Sequence, residues 1–142
     1  MDTPRYLRLV RASAWYDLFA TAAFMTPWSM HWLFGQLAGL STTLGLGAPQ
    51  PLTDPAHMLL ANLLGSVVIV WALLRLRHTR PEHGLYDAAA RGLFALWQVV
   101  AVLSGASPII LAFTLMELTF GALQLAPVAA AAWARPRAPR SL

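Results

Sequence analysis

Four long apolar runs alternate with short polar or glycine- and proline-rich stretches along the 142 residues of this chain. A hydrocarbon core of ~30 Å takes about 20 helical residues at ~1.5 Å each. By that measure the first run spans Leu9 to Pro27, the second Ala56 to Leu76, the third Leu85 to Leu103 and the fourth Pro108 to Trp133. Polar residues inside the runs recur at helical spacing: Ser13, Asp17 and Thr21; Asn62 and Ser66; Asp87 and Arg91; Glu117 and Gln124, with Gly121 flattening the face between them. The pattern predicts an all-α fold, a four-transmembrane-helix bundle over residues 1–133, followed by a basic Pro/Arg-rich tail over 134–142.

The breaks between runs carry helix-start chemistry. Asp54-Pro55 and Ser107-Pro108 each place a capping side chain before a proline at the first helical position. Thr26-Pro27 reads the same way, so residues 28–40 form either a short interfacial helix or a kinked extension of the first span. Trp28, His31 and Trp32 then lie at headgroup depth, where amphipathic rings are favoured. Gly45, Gly47, Pro49, Pro51 and Pro55 mark an outer loop, and Ser104 to Ser107 a tight outer turn. Ala61 and Gly65 form a small-xxx-small pair suited to close helix approach.

Charge turns this pattern into a topology. Arg5, Arg8 and Arg11 precede the first run, Arg75, Arg77 and Arg80 follow the second, and Arg135, Arg137 and Arg140 follow the last. Residues 36–56 and 104–108 contain no Lys or Arg. The alternation places both termini in the cytoplasm of a multi-pass protein of a bacterial inner membrane. Nine of the ten arginines then read as orientation markers, with Arg91 the exception.

Composition supports the same class. Hydrophobic residues make up 58%, charged residues 11%, and mean hydropathy is +0.56. A soluble domain carries about 25% charged residues, so too little polar surface is present to cover a water-facing fold. The net charge of +4 comes from arginines flanking apolar runs, with no continuous basic face, which argues against nucleic acid and for anionic lipid. With no cysteine, disulfides and thiolate chemistry are excluded. The chain contains no GxSxG elbow, phosphate-binding loop, dinucleotide glycine run or HExxH helix. No catalytic residue, metal site or cofactor is expected. His31 and His57 lie at a proline break and a helix start, a poor arrangement for haem or metal.

Candidate chemistry lies in the intramembrane polar groups, which must face other helices or a hydrated cavity. Glu117 sits ~12 Å below the outer surface at helical rise. Asn62, Ser66, Gln98 and Gln124 are its expected neighbours, in a ligand-binding site or a buried polar cluster. Glu117 itself is either a protonatable ligand or relay group, or an acid bonded to a neighbouring helix. Closer to the cytoplasm, Arg91 can pair with Asp87 four residues earlier or with Asp17 on the first span, giving an intramembrane ion pair. Tyr16-Asp17 and Tyr86-Asp87, with Phe24 and Phe94 at the same offset, form a faint internal echo.

Tyr-Asp-Leu at 16–18, Thr-Pro-Trp at 26–28, Ala-Asn-Leu-Leu-Gly-Ser at 61–66 and Phe-Ala-Leu-Trp-Gln at 94–98 follow one another in an order that resembles uncharacterised small inner-membrane proteins of proteobacteria. The four-span size is similar to that of the DoxX-like group, a resemblance of topology that implies a link to quinone-dependent redox complexes and carries over no site residues. Three roles are compatible with these features. One is a non-catalytic component of a membrane complex, or a binder of a small apolar ligand, with the lipid bilayer and a membrane-protein partner or second copy as its contacts. The others are a quinone- or redox-linked subunit and an oligomeric small transporter subunit.

Overall fold

The computed structural model describes residues 3–47 and 54–133, and every regular element among them is helical. Five helices follow one another: α1 (Thr3–Ala22), α2 (Pro27–Thr43), α3 (Pro55–Arg77), α4 (Pro81–Leu103) and α5 (Leu111–Trp133), with short 3-10 turns at Ala23–Met25 and Pro108–Ile110. The basic tail and the centre of the outer loop lie outside the described residues.

Capping explains the boundaries. Thr26 is extended (φ −131°, ψ 152°) and its side chain accepts from the Ser29 N–H, so α2 starts as a separate helix rather than continuing α1 through a kink. Asp54 accepts from the Ala56 N–H ahead of Pro55. Ser107 does the same for the turn that leads into α5. Arg75 and Arg77 occupy the last turn of α3 and Glu82 the first turn of α4, the signs that complement the helix dipole.

α3, α4 and the segment Pro108–Ala130 are each long and apolar enough to cross a membrane. α1, with Arg5, Arg8, Arg11 and Asp17 among its 20 residues, is not one of these three. α1 nevertheless packs along α3, and α4 along α5, as two helix pairs joined chiefly where α1 meets α4 and α5. Gly65 lets α3 close onto the corner after α1: a Cβ there would stand 2.7 Å from the Phe24 Cβ and 2.9 Å from its carbonyl carbon. Asn62 Nδ2 donates to the Phe24 carbonyl at 2.7 Å beside it. From that corner α2 reaches the α4–α5 turn, where Ser41 Oγ and Ser107 Oγ are 2.9 Å apart.

The packing is inverted relative to a water-soluble bundle. The two largest fully buried side chains are Arg75 and Arg91, whereas four of the nine buried hydrophobic residues are alanines: Ala14, Ala72, Ala88 and Ala95. Leu60, Val67, Val70, Leu93, Trp97, Leu103 and Leu115 are all exposed. Lipid solvates leucine as well as another helix does but offers no hydrogen bonds, so polar groups turn inward and large apolar ones outward.

Candidate functional site

Each of the four long helices contributes a seam of residues three or four apart. On α1 it runs Tyr6, Val10, Ser13, Asp17; on α3, Gly65, Ile69, Ala72, Arg75; on α4, Gly84, Ala88, Arg91, Ala95; on α5, Thr114, Glu117, Gly121, Gln124. This is the spacing that keeps one face of a helix toward its neighbours in a left-handed bundle. The seams bring the charged residues of all four helices together.

At the centre, two aspartates and two arginines alternate around a closed ring. Arg75 Nη2 pairs with Asp17 Oδ2, and Arg75 Nη1 lies 2.7 Å from Asp87 Oδ2. Arg91 Nη2 lies 2.7 Å from Asp17 Oδ1, and Arg91 Nε 3.1 Å from Asp87 Oδ2. Every guanidinium therefore bridges both carboxylates. Each ion of the ring is thereby paired at least twice, which offsets part of the cost of withdrawing its charge from water.

A polar shell completes the ring. Gln124 Nε2 donates to Asp87 Oδ2 at 2.7 Å and to Ser13 Oγ at 2.9 Å; Trp71 Nε1 donates to Asp87 Oδ1 at 3.3 Å. Arg75 Nη1 reaches Ser13 Oγ at 3.1 Å, and the Tyr6 hydroxyl donates to the Gln124 carbonyl at 3.1 Å. Gly84 leaves the space that the Tyr6 hydroxyl fills. Aromatic faces cover the guanidiniums: Trp71 lies 5.3 Å from Arg75 Cζ, while Tyr16 and Phe120 lie 5.6 Å and 5.0 Å from Arg91 Cζ.

Glu117 stands outside the ring. Its Oε2 accepts from Arg91 Nη1 at 2.6 Å, and Arg91 is its only ion-pair partner among the described residues. The polar cluster expected around Glu117 is thus not the one that forms. Asn62 bonds the Phe24 backbone, Ser66 bonds the Asn62 carbonyl at 2.8 Å, and Gln98 accepts from Thr114 at 2.8 Å. Asn62 and Gln98 thus tie neighbouring segments together, whereas Ser66 bonds within α3. Gln124 joins Asp87 and Ser13 instead of Glu117. Asp17, Asp87 and Arg91 do come together, since Arg91 meets both aspartates rather than choosing one.

Arg75 is the residue that sequence reasoning missed. It belongs to a basic cluster that reads as an orientation signal, yet its relative exposure is 0%. The signal was present in the spacing: Gly65, Ile69 and Ala72 lead to Arg75 on the packed face of α3. Arg77 and Arg80, which leave that face, are exposed. The internal echo is only partly matched. Asp17 and Asp87 hold equivalent places in the ring, but Tyr16 lies over Arg91 while Tyr86 is exposed. His57 pairs with Asp54 at 2.6 Å on the surface, and His31 Nδ1 lies 2.7 Å from the Pro27 carbonyl.

No family model, curated protein or solved structure matches the chain.

Proposed function

We propose that this chain is an integral protein of a bacterial inner membrane in which α1, α3, α4 and α5 all cross the bilayer, with both termini in the cytoplasm. Its role is that of a non-catalytic helical component of a larger membrane complex. One observation carries the reading: the two aspartates and two arginines of the ring pair with one another, while the exposed faces of α3, α4 and α5 carry many large apolar side chains. Such a chain offers its surroundings helix faces and a fixed shape.

The ring also bears on α1. Low hydropathy in that helix comes in part from Asp17, and Asp17 is held by two guanidiniums inside the bundle. Its other charges, Arg5, Arg8 and Arg11, are exposed at its start, as befits the cytoplasmic side. Trp28 and Trp32 are exposed on α2, suited to the opposite headgroup layer.

Two measurements test the reading. Reporters fused before Met1 and after Leu142 should both report the cytoplasm; termini on opposite sides would show that α1 does not cross. Extraction in mild detergent should yield one stoichiometric assembly larger than the monomer, with the same partner in independent preparations. A lone monomer would sink the complex-component role.

A further inference from the structure

We propose that Glu117 is a proton-binding site, carrying one exchangeable proton inside the bundle. The inference goes beyond the scaffolding role and does not depend on it. Two guanidiniums, Arg75 and Arg91, face three carboxyls, Asp17, Asp87 and Glu117. With all five ionised the cluster would hold two positive and three negative charges, a surplus of one negative charge with little solvent to screen it. One bound proton makes it neutral.

Geometry decides which carboxyl takes that proton. Asp17 lies between both guanidiniums. Asp87 does too, and gathers Gln124 and Trp71 as further donors. Among the described residues Glu117 has Arg91 alone. Arg91 cannot turn further toward Glu117, because its Nε serves Asp87 and its Nη2 serves Asp17 and the Ser13 carbonyl. The neutral Asp–Arg ring is complete without Glu117, so the surplus falls on the carboxyl outside it.

The groups around the site can accommodate a protonated acid. α1 brings Tyr16 and Asp17, α4 brings Asp87 and Arg91, and Arg75 of α3 acts through the two aspartates. Tyr16 covers the same guanidinium that Glu117 binds. Loading the proton leaves Arg91 to the two aspartates; releasing it strengthens the hold of Arg91 on α5. Proton occupancy is thereby coupled to how α4 divides its contacts between α1 and α5.

The chain contains two glutamates, Glu82 and Glu117, which makes the site directly readable. Infrared spectra of the full chain in phospholipid vesicles at neutral pH should contain a protonated-carboxyl carbonyl stretch. That band should shift in wild-type protein grown with carboxyl-13C glutamate, survive in Glu82→Gln and vanish in Glu117→Gln. A shift with 13C aspartate instead, or no such band in the wild type, would overturn the proposal. The isotope label reads the unmutated chain, so the outcome does not depend on whether a variant folds.

Discussion

Asp17 and Arg91, 74 positions apart in the chain, meet at 2.7 Å across the α1–α4 interface. Neither is held by the other alone: Asp17 also binds Arg75 of α3, and Arg91 also binds Asp87 and Glu117. The ring of charge therefore makes the first helix part of the bundle, although that helix is the least apolar of the four. Its consequences can be measured in the full chain.

Arg75 and Arg77 stand two residues apart and should behave as different kinds of residue. Arg75→Gln strips a counter-charge from Asp17 and Asp87 at once, and breaking a buried ion pair costs about 3–5 kcal/mol. Arg77 is exposed, and Arg77→Gln should stay within about 0.5 kcal/mol of the parent. Denaturation of the detergent-solubilised chain compares them; equal losses would remove Arg75 from the core of the fold.

Two glycines should respond to alanine with opposite signs. At Gly65 the new methyl group would stand 2.7 Å from the Phe24 Cβ and 2.9 Å from backbone, so overpacking should cost about 1–3 kcal/mol. At Gly92 an added Cβ would meet nothing within 4 Å beyond its own stretch of helix, and Gly92→Ala should gain about 0.5–1 kcal/mol from helix propensity. The same denaturation assay reads both, and a stabilising Gly65→Ala would mean that α3 does not close on the Phe24 corner.

The path of α2 is open to a crosslinking test, because the chain has no cysteine. Ser41 Oγ and Ser107 Oγ are 2.9 Å apart, a separation compatible with the Cβ spacing of about 3.5–4.5 Å that a disulfide needs. The double substitution Ser41→Cys, Ser107→Cys should form an intramolecular disulfide in isolated membranes under mild oxidation. Failure to crosslink would place the end of α2 away from the α4–α5 turn.

How much of this was legible in sequence depended on whether a residue signalled locally. The helix starts at Thr26, Asp54 and Ser107 were legible, because capping and proline chemistry act within a few residues. So was the grouping of Asp17, Asp87 and Arg91, since depth and helical face follow from spacing alone. The choice of neighbours around Glu117 was not. Asn62, Gln98 and Gln124 all lie at plausible depths, and only the pairing of α1 with α3 and α4 with α5 decides which can meet. Arg75 was hidden for a different reason: its position in the last turn of α3 satisfies the positive-inside pattern equally well whether it points outward or in.

The central claim is that charge pairs, alongside the burial of Tyr6, Val10 and Ala14, hold α1 in the bundle. A double-mutant cycle on Asp17→Asn and Arg91→Gln in the solubilised chain tests it most directly. Each single substitution should leave its partner's charge less compensated, and the double variant should lose less than the sum of the two, with a coupling of about 0.5–3 kcal/mol. Strictly additive losses would show that Asp17 and Arg91 do not stabilise one another, and would contradict the account.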